Sequence, residues 1–278
     1  MNAISSLIFC VSLVFVANTV KAGEPLSAYL QSLGNPKYHR MTAEERDQLY
    51  HIFVRLPDDY TESKSYPTIY LLDGGITFPL LAAYYQYLSL GEEVPDCIIV
   101  GISYGTLDWQ KGNNRSFDFT TQSSEANHWG GAPVFLSFLN KELLPFIEEN
   151  YSSDPSKRIL FGQSLGGQFA IYAASIAPNL FWGHIASNPA LHRNLDFFLK
   201  EENFDSNKNN ATPILLVTSG ENDHPRFRTP ALEWMEYWGK KDDAPWLLKT
   251  ATLKGHSHFS AAPEAFRLGL KWMFPTSE

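Results

Sequence analysis

The run Arg158-Ile159-Leu160-Phe161 ends in Gly162-Gln163-Ser164-Leu165-Gly166, and an Ala/Leu/Ile-rich helical pattern begins at once. An apolar strand that passes straight into a helix through G-x-S-x-G predicts a nucleophile elbow, a tight turn that pushes a serine hydroxyl clear of the backbone. Ile159 to Phe161 reads as the buried strand, and Leu165 to Ala177 as the helix, closed by Pro178. Small residues at Gly162 and Gly166 let the two flanking segments pass close together. Ser164 is therefore the candidate nucleophile. Alone, the motif is equally a glycine-rich turn; the strand before it and the helix after it favour the chemical reading.

The rest of the chain supplies a frame for such a turn. From Gln48 onward strands and helices alternate, the pattern of a mostly parallel sheet. Leu49 to Leu56, Thr68 to Leu72, Ile98 to Ile102, Gly183 to Ser187, Pro213 to Thr218 and Trp246 to Thr252 read as further strands. Pro133 to Glu149, Pro230 to Trp238 and Ala262 to Phe274 read as helices, the first with Phe135, Leu136, Leu139, Leu143 and Ile147 along one side. Strands that are apolar throughout are covered on both faces. The fold class is α/β, with a mostly parallel central sheet and helices on both faces.

Residues 1–22 read as a secretory signal: a short apolar run from Leu7 to Val16, then Val20-Lys21-Ala22, whose small residues suit cleavage before Gly23. Residues 23–278 are expected to form one α/β domain, exported to a periplasmic or extracellular compartment; the leading apolar run is too short to span a bilayer comfortably, and no other stretch approaches the required length. Removal of the signal leaves Cys97 as a lone cysteine beside Ile98-Ile99-Val100, a buried small hydrophobe. The net charge of -8 argues against nucleic acid or an anionic membrane surface as partner. Asn203 to Asn210 is polar and Asn-rich, a surface loop within the domain.

A serine hydroxyl needs a base within reach and a group that orients the base. With the elbow motif these follow in the order Ser, acid, His. Ile214 to Thr218 leads into Ser219-Gly220-Glu221-Asn222-Asp223-His224, two carboxylates at the carboxyl end of a strand, where open sheets build their sites. Asp223 is the favoured acid, Glu221 the alternative. Lys254-Gly255-His256-Ser257-His258-Phe259 offers two histidines before the last helix, and His258 is the favoured base. Two histidines without other converging ligands are a poor metal site, so no metal or organic cofactor is implied. His128, His184, His192 and His224 are read as surface or core histidines. The oxyanion hole calls for two backbone donors: the N–H of Leu165, directly after the nucleophile, and that of Gly75, in the loop after the Thr68 to Leu72 strand. Tyr104, Trp109, Arg115 and Trp129 lie between the Ile98 strand and the long helix and are candidates to line an aromatic cleft with one cation. The alternative for Arg115 is a structural salt bridge with Asp118 or another acid.

The chain also resembles a known family over about Leu49 to Phe274. The resemblance rests on Val54-Arg55-Leu56-Pro57-Asp58-Asp59-Tyr60, Tyr70-Leu71-Leu72-Asp73-Gly74, Arg115-Ser116-Phe117-Asp118-Phe119-Thr120 and Gly130-Gly131-Ala132. It continues through Phe135-Leu136-Ser137-Phe138-Leu139, the elbow itself, Pro178-Asn179-Leu180-Phe181 and Ser257-His258. These are similar to the esterase D-like group of α/β-hydrolases, in particular its enterochelin-esterase-like periplasmic branch. The resemblance implies an α/β-hydrolase fold, a Ser164 nucleophile and a His258 base. It also implies a small-molecule ester or thioester substrate: similar members cleave siderophore trilactones, aromatic esters or acyl thioesters, and some relatives transfer the acyl group instead. Asn188-Pro189-Ala190 stands where the family usually shows Ser-Pro-Ser, and the acid position varies in this branch. A hydrolase-fold binding protein without turnover is the reading from another class, and the intact Ser, acid and His set argues against it.

Overall fold

A computed structural model describes residues 36–123, 129–203 and 212–275. The proposed signal (residues 1–22), Cys10, His128 and nearly all of the Asn-rich segment lie outside the described residues. The chain runs β1 (Lys37–Ala43), β2 (Gln48–Arg55), β3 (Tyr66–Leu71), α1 (Gly74–Leu90), β4 (Ile98–Ser103), a short α2 (Arg115–Asp118) and α3 (Ala132–Phe138). After a π-helical turn (Leu139–Leu143) come α4 (Leu144–Asn150), β5 (Ser153–Gln163), α5 (Leu165–Ile176), β6 (Gly183–Ser187), α6 (Leu195–Leu199), β7 (Ile214–Gly220), α7 (Pro225–Gly239), β8 (Leu247–Leu253) and α8 (Ala261–Met273). Eight strands form one sheet in the order β1-β2-β4-β3-β5-β6-β7-β8. β1 and β2 pair antiparallel, as do β2 and β4; every other neighbouring pair is parallel.

Both faces of the sheet are covered, as the apolar strands require. β4 is buried at all six positions. One core gathers Phe78, Leu81 and Tyr85 of α1 with Phe266 and Leu270 of α8; the other gathers Phe135 and Leu139, Phe169 of α5, and Trp234 and Trp238 of α7. β1 is the strand that sequence patterning does not announce. Its residues are mostly exposed or half-exposed at the sheet edge, so no hydrophobic run marks it; pairing with β2 from Lys37 opposite Val54 to Ala43 opposite Gln48 makes it a strand.

Two helix expectations change. The segment Pro133 to Glu149 is one long helix interrupted by the π-turn Leu139–Leu143, which ends two residues before Pro145. Proline has no N–H and crowds the carbonyl four residues back, and local widening relieves that conflict. α7 begins at Pro225, not Pro230: His224 caps it, its Nδ1 accepting from the Arg226 N–H at 3.2 Å, and Pro230 lies in the second turn.

Cys97 is fully buried, and burial pushes its thiol up to about 12, so it is the inert core residue expected. His184 on β6 is also fully buried, against the Phe181 ring, and burial pushes its imidazole down to about 3. A histidine held neutral in the fold and protonated near pH 6.5 when unfolded costs stability as pH falls from about 6.5 toward 3. His184→Leu should therefore flatten the decline of the melting temperature between pH 7 and pH 5. A decline as steep as that of the parent would show that other groups set it.

Candidate active site

Every predicted catalytic group sits just beyond the carboxyl end of a parallel strand, where an open sheet leaves its crevice. Asp73 and Gly75 follow β3, Ser164 follows β5, Asn188 follows β6, Asp223 follows β7 and His258 follows β8. Ser164 itself has φ 60° and ψ −116°, a strained conformation for a residue with a side chain. It is locked by three backbone bonds: its N–H donates to the Ser187 carbonyl, and its own carbonyl accepts from Gln168 and Ala190, each at 3.0 Å.

The glycines divide differently from the sequence expectation. A Cβ on Gly162 would lie 2.0 Å from the Gly166 carbonyl oxygen, and one on Gly167 would lie 2.9 Å from the Ser187 carbonyl oxygen. On Gly166 it would meet only ordinary contacts, the nearest being Leu72 Cβ at 3.4 Å. The close passage thus belongs to Gly162 and Gly167. Gly162→Ala should destabilise the fold by about 3 kcal/mol or more, because a backbone oxygen cannot step aside. Gly166→Ala should melt near the parent temperature, and equal losses in the two variants would refute this assignment.

His258 Nδ1 and Asp223 Oδ2 are 2.8 Å apart, with the Asp223 side chain almost fully buried. A carboxylate only accepts, so the shared proton sits on Nδ1 and leaves Nε2 as the ring's acceptor. Asp223 is held from two further sides: Asn188 Nδ2 donates to Oδ2 at 2.9 Å and the His224 N–H to Oδ1 at 2.6 Å. Asn188 is buried, has φ 44°, and accepts from the Gly220 N–H at 3.1 Å, so it braces the end of β7 as well. Glu221 turns the other way. Its Oε2 accepts from the Gly255 N–H at 2.8 Å, which ties down the loop carrying His258 without reaching the imidazole. His256 is likewise a loop residue, its Nδ1 against the Ser260 carbonyl at 2.9 Å.

Phe227 stacks on the His258 ring with centroids 4.5 Å apart, and Phe259 meets that ring edge-on at 5.3 Å. Gln163 Nε2 donates to the His258 carbonyl. None of Asn188, Phe227, Phe259 and Gln163 is marked as functional by the sequence. Asn188 alone left a signal, as the departure from Ser-Pro-Ser.

Ser164 and His258 open into one cleft of about 630 Å³, which also takes in Gly75, Ile76, Leu107 and Arg115. Gly75 is not in a loop. It is the second residue of α1, whose earliest backbone bonds run from Ile76 and Thr77 to the Asp73 carbonyl. The Gly75 and Leu165 N–H groups both lie in first helical turns, where amides have no intrahelical acceptor and the dipole favours negative charge.

The four expected pocket residues separate. Arg115 lines the cleft and is also paired, its Nε and Nη2 donating to the two carboxylate oxygens of Asp73 at 2.7 and 2.8 Å. Its acid is therefore Asp73 rather than Asp118. The buried Asp118 is occupied by Arg46 and by the hydroxyls of Tyr50 at 2.6 Å and Tyr104 at 2.8 Å. Tyr104 borders the cleft with its ring, but its hydroxyl is committed to Asp118. Trp109 and Trp129 do not line the cleft: Trp109 is 74% exposed, and Trp129 is buried under the Arg193 guanidinium at 4.9 Å. Besides Tyr104, the aromatic lining comes from Phe227 and Phe259, which belong to later segments. Among the described residues no group of three or more His, Cys, Asp or Glu side chains is placed to hold a metal ion, and no helix is long and apolar enough to cross a membrane.

A family model described as "Putative esterase" matches residues 43–268. The ferri-bacillibactin esterase BesA of Bacillus subtilis is 32% identical over 197 residues, covering 65% of this chain and 68% of its own. A siderophore triacetylfusarinine C esterase of Aspergillus fumigatus is 30% identical over 208 residues, covering 69% and 70%. Among solved structures, the BES protein of Bacillus cereus superposes with a TM-score of 0.76 at 29% identity, over 86% of this chain and 94% of that one.

Proposed function

Because the chain belongs to this esterase family and is a serine ester hydrolase of the α/β-hydrolase type, we propose that it cleaves the ester bonds of a siderophore through an acyl-enzyme on Ser164. The observation that carries the residue assignment is the Asp223–His258 pair at 2.8 Å, with His258 lining the same cleft as the strained Ser164. His258 Nε2 takes the Ser164 proton as the hydroxyl attacks the ester carbonyl, and the Leu165 and Gly75 N–H groups receive the oxyanion. The imidazolium, steadied by Asp223, then protonates the departing alcohol. Water repeats the sequence on the acyl-enzyme and frees the acid.

The siderophore part of the proposal is supported by the relatives, which are named for bacillibactin and triacetylfusarinine C. It is supported too by a roomy cleft with Phe227, Phe259, Ile76 and Leu107 on its walls, apolar surface suited to the arms of a bulky ester. Residues 1–22 are proposed as a signal that exports residues 23–278 as one domain.

The test is hydrolysis by purified protein of a siderophore trilactone, a short p-nitrophenyl ester and an acyl thioester, followed by product analysis. Cleavage of the trilactone with the highest kcat/KM is the expected result. A thioester preferred by more than tenfold, or acyl transfer to an added alcohol outrunning release of the acid, would replace it.

A further inference from the structure

The cleft is lined by one internally compensated ion pair, and a basic cluster lies just outside its lining on the His258 side. On the wall beside the oxyanion donors, Arg115 and Asp73 cancel each other in a bidentate pair, and Ile76 and Leu107 complete an electrically neutral, apolar surface. The lining also includes His258, paired with the buried Asp223 carboxylate, and Phe227, in the first turn of the fifteen-residue α7. Around Phe227, just outside the lining, is a basic cluster. The Arg226 guanidinium is 5.8 Å from the Phe227 ring, and the His192 ring meets that same ring edge-on at 5.1 Å. Arg193, next in the chain, covers Trp129.

Neither Arg193 nor Arg226 has a carboxylate within ion-pair distance among the described residues, in a chain whose acids outnumber its lysines and arginines by 30 to 22. Both ring nitrogens of His192 are buried without a hydrogen-bond partner. Burial, then the charges of Arg226 and Arg193, push its pKa down to about 4, so His192 is neutral and the positive field there belongs to the arginines. The positive end of the α7 dipole adds to that field.

We propose that Arg193 and Arg226 form an anion-recognition rim for the alcohol half of the substrate, selecting esters whose leaving group carries a carboxylate. The side follows from the mechanism. The leaving oxygen must come to His258 to receive its proton, so the alcohol lies on the histidine's side and the acyl group on the neutral one. In an oligoester of a hydroxy acid, the terminal unit has this form: its hydroxyl is esterified and its own carboxylate is free. The rim thus favours opened chains over intact rings, and this inference rests on the esterase reading above.

The experiment compares three small esters on wild-type protein and on R193Q/R226Q. One is 3-(butyryloxy)benzoate, with its charge on the alcohol half; one is 3-(butyryloxy)benzamide, its uncharged counterpart; one is phenyl hydrogen succinate, with its charge on the acyl half. For wild type, kcat/KM on the benzoate should exceed that on the benzamide by about tenfold, the size expected of two partly exposed charge pairs. The excess should shrink in 0.5 M salt, which shortens the screening length to about 4 Å. In R193Q/R226Q the ratio should fall to within about twofold of unity, with benzamide cleavage reporting that the variant is folded. The proposal is overturned if wild type shows no such excess, if the double variant keeps it, or if the succinate is the better charged substrate. Benzamide cleavage keeps the two readings apart. If wild type cleaves it without any charge preference, only the rim falls; if it cleaves none of the three, the esterase reading falls with it.

Discussion

Ser164→Ala should lower kcat/KM on any cleaved ester by on the order of 10³-fold or more, with the melting temperature close to that of the parent. The size follows from the proposed role: without the hydroxyl no acyl-enzyme forms, and only direct attack by water, aided by the proposed oxyanion donors, remains. The fold should be indifferent because the backbone at φ 60° is held by the Ser187, Gln168 and Ala190 bonds, all of them main-chain. Alanine keeps those bonds and the same Cβ. Activity within tenfold of the parent would remove Ser164 from the nucleophile role; a large fall in melting temperature would show that the hydroxyl also holds the turn together.

The sheet and the elbow are legible in the sequence because both rest on local, strong signals. Runs such as Ile98 to Val100 and Leu215 to Val217 leave little choice but a doubly covered strand, and Gly162 has no tolerance for a side chain. His258 and Asp223 are legible for a related reason: Asp223 lies just past the buried β7 and His258 just past β8, a mostly exposed edge strand that pairs in parallel with β7, so the two strand ends lie side by side. What could not be read is whatever depends on side chains meeting across long separations. Asp73 and Arg115 are 42 residues apart, Asn188 and Asp223 are 35 apart, and nothing in either neighbourhood specifies the partner. The same holds for the cleft wall. Aromatic residues clustered near Trp109 and Trp129 suggest a lining, yet the rings that reach His258 are Phe227, from the first turn of α7, and Phe259, next to it in the chain. β1 escaped for the opposite reason, since a half-exposed edge strand carries no run of buried residues to betray it.

If Ser164, His258 and Asp223 form the proposed triad, His258→Ala should cost about as much activity as Ser164→Ala, since the members of a triad act as one unit, whereas His256→Ala should cost far less. The geometry separates them: His258 meets Asp223, and His256 meets only the Ser260 carbonyl. The two carboxylates should part in the same way. Asp223→Asn replaces an acceptor by a group that can also donate, and two neighbours already donate to this side chain, Asn188 Nδ2 and the His224 N–H. An asparagine amide cannot satisfy both donors and still accept from Nδ1. Once it donates to Nδ1, the imidazole proton moves to Nε2, and the base has no lone pair for the Ser164 proton. Turnover should then fall by on the order of 10³-fold with KM little changed. Glu221→Gln keeps an oxygen that can accept from the Gly255 N–H and should stay within about threefold of the parent. Both single variants and the double variant, measured on one good ester, decide the matter. A large loss confined to Glu221→Gln would transfer the orienting role to Glu221, and near-parent rates in all three would leave Ser164 and His258 working as a pair without a carboxylate.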